Sequence, residues 1–153
     1  MMGVNIEIKP MEGLGELNFG VTKEEVERMV GAPEDVEDTD GENDIRTLIW
    51  HYWSKGFSAF FDEDNNYKLS SLEVDNQMAT LWGQLIFNMK EEELIELFRS
   101  KGFKEIDIEE QEWGERRVSI DDAMVDLYFE EGELNSINFG VFINDLEIAV
   151  WPN

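Results

Sequence analysis

Apolar residues along this chain switch period several times, and each switch marks an element. From Thr22 to Val30 they fall at Val26, Met29 and Val30, the i, i+3, i+4 spacing of a helix with one buried face. Thr22 stands at the N-cap with Glu25 three residues on, a capping box, and Val21 with Val26 makes a hydrophobic staple. Gly31 and then Pro33 stop the helix. A second helix is predicted with Leu94, Leu97 and Phe98 inward. Met89 and Leu94 repeat the staple, Lys90 replaces the cap, and Asn88 with Glu91 offers another. Arg99 and Lys101 suit its C-terminal end, and Gly102 stops it.

Elsewhere the period is two. TLIWHYW (47–53), GFSAFFD (56–62), YKLSSLEV (67–74), RRVSID (116–121), AMVDLYFE (123–130) and ELNSINFGVFI (133–143) read as strands. Parity sends Trp50, Tyr52, Phe57, Phe61, Val125, Leu127 and Phe129 inward. EDVED (34–38) and FKEIDIE (103–109) are acidic, weak strands suited to sheet edges. VNIEIK (4–9) reads as an extra strand equivalent to 72–77.

The pattern occurs twice. Shifted by 68 residues, IKPMEGLGELNFGVTKEEVERMV (8–30) falls on NQMATLWGQLIFNMKEEELIELF (76–98), with Gly15 on Gly83, Leu17 on Leu85 and Phe19 on Phe87. Phe57, Ala59 and Phe61 then meet Val125, Leu127 and Phe129. The expected fold is α+β, with two tandem modules at 1–71 and 72–153, each a helix packed on a four-stranded antiparallel sheet. A unit of that size is marginal alone, so a shared interface is expected.

Composition narrows the function. Of 153 residues 42% are hydrophobic, enough for a core despite the charge. Twelve Lys and Arg against 36 Asp and Glu give a net charge of −24. Such a surface repels nucleic acid and anionic membranes and attracts basic protein partners and cations. The absence of Cys excludes disulfides, thiolate metal sites and thiol nucleophiles. No N-terminal basic region precedes an apolar run, and no segment approaches the roughly 18 apolar residues of a membrane span. A cytoplasmic location is the expectation.

FGVTKEEVERMVGAPEDV (19–36), Trp50-His51-Tyr52 and FSAFFDEDNNYKLSSLEV (57–74) together resemble the signature of SmpA/OmlA-type outer-membrane assembly lipoproteins. The run Gly20-Val21-Thr22, Val26, Gly31 and Pro33 carries the likeness. The tandem arrangement resembles the β-lactamase inhibitor protein, two similar modules forming one broad sheet. The resemblance implies a binding scaffold rather than an enzyme. In the second half Gly20 becomes Asn88 and the Gly-x-Pro is lost, and no lipobox Cys exists.

Candidate sites follow from residue type. Trp53, Phe60 and Tyr128 have the parity opposite to the core and are candidate partner-binding residues. The run 34–46 carries seven acids and reads as a solvated loop or as an arm for a basic partner, with Asp38, Asp40 and Glu42 as its candidates. FFDEDNNYKLSSLEV (60–74) imitates a calcium loop through Asp62, Asp64, Asn66 and Glu73, but Tyr67 takes the place of the required Gly. A hairpin also explains it, and no metal or cofactor is expected. His51 is the single histidine. The function expected is a non-enzymatic protein-binding module, of the bacterial inhibitor or immunity type, engaging a basic partner through an acidic sheet face. The alternatives are a small-molecule or cation-binding protein with a site between the modules, and a carboxylate-based hydrolase.

Overall fold

The structure is a computed structural model describing residues 6–39, 46–110, 114–144, 146 and 148–152. In chain order come β1 (Glu7–Lys9), β2 (Gly13–Leu14), β3 (Leu17–Asn18), α1 (Lys23–Val30), β4 (Asp35–Asp38), β5 (Thr47–Tyr52), β6 (Phe57–Asp62) and β7 (Leu69–Val74). Then follow β8 (Thr80–Leu81), β9 (Gln84–Leu85), α2 (Glu91–Ser100), β10 (Ile106–Glu110), β11 (Glu115–Ile120), β12 (Val125–Glu130), β13 (Glu133–Gly140), β14 (Phe142–Ile143) and β15 (Ala149–Val150).

Strands β4 to β7 form an antiparallel meander, and so do β10 to β13. The last strands of the two meanders then pair with each other, Val74 opposite Ile137 and Ser71 opposite Gly140. The result is one eight-stranded sheet in the order β10-β11-β12-β13-β7-β6-β5-β4. This corrects the expected pair of helix-on-four-strand modules: the fold is mostly β, and among the described residues it has two α-helices and one eight-stranded sheet running through both meanders. The physical reason lies in β7 and β13. Both alternate apolar and polar residues, and each alone would leave a free ladder of N–H and C=O groups at an edge. Pairing them satisfies both. The outer edges fall instead to acidic β4 and β10, whose charges oppose further pairing.

A second, five-stranded sheet of short strands runs β3-β2-β1-β8-β9, with β1 parallel to β8 through Ile8 opposite Leu81. Of the stretch 72–77 matched to 4–9, residues 72–74 belong to β7 and 75–77 lie outside any strand. β14 and β15 form a separate hairpin.

Both helices bury one face in a single core that also takes in the large sheet. Val26 and Val30 of α1, and Leu94, Leu97 and Phe98 of α2, join Phe57, Phe61, Leu72, Leu127, Phe129, Ile137 and Phe139. The capping box of α1 is formed. The Glu25 N–H donates to Thr22 Oγ1 and the Thr22 N–H donates to Glu25 Oε1, each at 3.1 Å. Gly31 closes the helix at φ 104. Of the two cap positions offered for α2, Lys90 is the one used: its N–H donates to Glu93 Oε1 at 2.9 Å, and Asn88 lies in a 3₁₀ turn. Trp151 folds back over Gly20, where an added Cβ would lie 3.2 Å from the indole. No helix among the described residues is long and apolar enough to cross a membrane.

Candidate functional site

The core residues of the large sheet point to one face. Their alternates point to the other, and the registers align them into a row across all eight strands. The row reads Asp35, His51, Ser58, Glu73, Asn138, Asp126, Ser119, Asp107. Every member is polar, which is what a sheet with only one face on the core requires of the other.

On the β5 side of this face, His51 is held at both ring nitrogens. Nδ1 lies 2.7 Å from Ser58 Oγ and Nε2 lies 2.5 Å from Glu37 Oε1. Trp53 stacks on the imidazole at 5.1 Å and is itself 61% exposed. Phe60, half-buried, stands between Ile49 and Ser71 on the neighbouring strands. On the far side Tyr128 lies between Arg117 and Ser136. Burial first, and then the Asp126 carboxylate, push the Tyr128 hydroxyl above its ordinary pKa. Arg117 pairs with Glu109 at 2.5 Å, and the Ser119 hydroxyl donates to Asp126 at 2.5 Å.

Glu73 occupies the middle, opposite Ser58 on one side and Asn138 on the other. Desolvation by the packed neighbours raises its pKa most, the Asp75 carboxylate raises it further, and His51 opposes both. Its side chain still reaches solvent, so the desolvation is that of a closely flanked group on an open surface rather than of the interior.

The Glu37–His51–Ser58 chain has the composition of a nucleophilic triad without its surroundings. Ser58 lies mid-strand with β5 and β7 paired on both flanks. The chain fixes the orientation of His51 and leaves Trp53 a flat platform.

The predicted site residues separate. Phe60 and Tyr128 share the open face, and Trp53 stands at its end. Asp38 sits on edge strand β4 opposite Leu48, on the core-side parity, and its carboxylate pairs with Arg46. Asp40 and Glu42 lie outside the described residues. The calcium-loop ligands do not converge. Asp62 accepts hydrogen bonds from Thr47 and Ser70, Asn66 is left-handed at φ 56, and Tyr67 follows it at φ 56. Glu73 pairs with Ser58, four positions along β6 from Asp62, ~13 Å at the usual rise. Among the described residues no group of three or more His, Asp or Glu gathers as a metal site. Glu73, marked in the sequence as a loop ligand, is the centre of the sheet face instead. Its parity with Phe60 across the hairpin carried that signal.

Neither a protein-family model nor a curated protein matches the chain significantly. Among solved structures, the chain is similar to an extracellular protein containing a SCP domain from Bacillus anthracis str. Ames, at a TM-score of 0.54 and 12% identity. The match covers 95% of this chain and 52% of that one, so the chain spans about half the length of that structure. At this identity the likeness is one of fold alone.

Proposed function

We propose that the chain is a non-enzymatic protein-binding module, of the inhibitor or immunity type, that takes a basic partner on the open face of its large sheet. One observation carries this reading. Trp53, Phe60 and Tyr128 share a face that no other element among the described residues fills, together with Glu73, Asp126, Asp35 and Asp107. Long-range attraction by a net charge of −24 would speed encounter with a basic partner, and the aromatics would supply short-range energy. The resemblance to the β-lactamase inhibitor scaffold points the same way. Immobilised protein should capture a basic partner from host extract at low salt, and the triple variant Trp53→Ala, Phe60→Ser, Tyr128→Ser should lose it. Neutralising Asp38, Asp40 and Glu42 should slow association and flatten its salt dependence. Equal capture by the aromatic variant, or no partner at all, would sink the reading.

A second reading is a small-molecule or cation site. A groove of about 570 Å³ favours it, lined by Glu7, Lys9 and Glu12 from the start of the chain and by Trp82, Lys101 and Phe103. A thermal shift on adding a ligand, abolished by Trp82→Ala, would support it.

A further inference from the structure

The outward row across the large sheet is polar throughout, as a solvated face requires. The hairpin β14–β15 breaks that rule. Phe142 pairs with Val150 and Ile143 with Ala149, and alternate residues fall on opposite faces. Val141, Ala149 and Trp151 turn toward the core. The other face carries Phe142 and Val150. Ile148 joins them where the Asn144 N–H donates to the Ile148 carbonyl oxygen at 3.0 Å, which extends the pairing by one position. Leu146 stands at the tip. These side chains are between 39% (Phe142) and 77% (Leu146) exposed, and half of the large apolar residues exposed among the described ones lie within 142–150.

The face sits on a held frame. Asn144 Oδ1 accepts the N–H groups of Leu146 and Ile148 at 2.9 and 3.0 Å. Trp151, just past β15, seats over Gly20 and anchors the base. A partner therefore meets little ordering cost here.

Area and charge select that partner. At roughly 150–200 Å² for a fully exposed residue of this size, Phe142, Leu146, Ile148 and Val150 together offer roughly 400 Å². Two such faces packed together would bury roughly 800 Å² of apolar area. Homodimer interfaces are about 65% apolar, so the whole contact comes to roughly 1,200 Å², the lower bound for specific association. Every described residue of 141–152 is uncharged, while Asp145 and Glu147 lie outside the described residues. No Lys or Arg occurs in 141–153, so the hairpin offers no cation to an anionic headgroup. A basic partner would have to strip the water from its own charges against these apolar side chains. A second copy brings the same side chains, and a two-fold axis lets each face cover the other.

Beyond the partner surface proposed above, we infer that the outward face of β14–β15 is a homodimer contact, closing a two-fold pair through Phe142, Leu146, Ile148 and Val150. The −24 charge of each copy opposes the approach, so the pair is weak and is strengthened by salt.

Sedimentation equilibrium of the full chain should show monomer at about 1 µM and mostly dimer at about 1 mM. Raising NaCl from about 0.05 M to about 0.5 M should tighten the dimer severalfold by screening the like charges. That is opposite to the salt dependence of a basic partner on the open sheet face, so the two surfaces are told apart. Amide shifts on concentrating isotopically labelled protein should centre on residues 142–150. The variant Leu146→Ser, Ile148→Thr, Val150→Thr keeps β-branched residues in the ribbon. It should stay monomeric at about 1 mM and unfold at the wild-type temperature when dilute. Should it unfold earlier, the concentration-dependent shifts of the wild type decide alone. A wild type that is monomeric at every concentration and salt, a dimer weakened by salt, shifts centred outside 142–150, or a folded variant that still dimerises would overturn the inference. So would a protein that stays monomeric while the same amides shift on adding phosphatidylcholine vesicles, a result that assigns the face to lipid.

Discussion

Tyr52 shows how one side chain ties helix to sheet. It is 2% exposed, stacks on Phe57 at 5.0 Å, and its hydroxyl donates to the Gly31 carbonyl oxygen at 2.9 Å. That carbonyl ends α1, so the bond fixes the helix terminus against the last residue of β5. Tyr52→Phe keeps the ring and leaves the carbonyl unpaired, and should cost about 1 kcal/mol in urea unfolding. The same residue sets a pH dependence. Burial, and then the Glu27 carboxylate, push the phenol from 10.0 up to about 12. The folded state thus keeps a proton that the unfolded chain gives up near 10, so this contribution is full below pH 10 and is lost as pH rises through 12. Tyr67 and Tyr128 also titrate high, but they are present in both proteins. The stability difference between wild type and Tyr52→Phe should therefore shrink between pH 10 and 12. A difference that stays constant across that range would show that the hydroxyl is not coupled to folding.

At the scale of elements, the connections before β6 and β12 do the same job with different residues. Each is a 3₁₀ turn, Trp53–Lys55 and Asp121–Ala123, and each ends in a left-handed residue, Gly56 at φ 76 and Met124 at φ 57. At Gly56 a Cβ would lie 2.5 Å from Asn76 Cβ and 2.9 Å from Asn76 Cα. Gly56→Ala combines backbone strain with a clash against main chain and should cost at least about 2 kcal/mol. Met124→Gly relieves a left-handed penalty and gives up a half-buried side chain, so its net change should stay within about 1 kcal/mol. Thermal unfolding of the two variants checks the asymmetry, and equal losses would refute it. Local features such as these were legible in the sequence. The Thr22–Glu25 box, the strand parities of 57–61 and 125–129, and the acidic edges at 35–38 and 106–110 all depend on neighbours in the chain. At Lys90 the cap position was legible but its working half was not, because that half is the Glu93 side chain, not the cap residue's own. The parallel pairing of β1 with β8 had no local mark, because strands of two or three residues are too short for a period to show.

The whole molecule turns on one join. Sequence parity describes β7 and β13 correctly on each face but is silent about their edges, since a strand reads the same whichever chain lies beside it. A hint was present nonetheless. Each meander carries an acidic strand at one end only, and the other ends, LSSLEV and ELNSINFG, carry no guard against pairing. Leu72 sits on that seam, fully buried, between Ala59 on β6 and Phe139 on β13. Its side chain therefore touches both halves of the sheet through their central strands. Leu72→Ala should cost about 3 kcal/mol by removing a core side chain that its neighbours cannot replace. The distribution of that loss is the sharper test. With both halves in one eight-stranded sheet and one core, native-state hydrogen exchange should show protection falling together in β6 and in β12, which lies two strands from Leu72 across β13. If β12 kept its protection while β6 lost it, the halves would be separate folding units leaning on each other, and β7–β13 would be an interface rather than a seam.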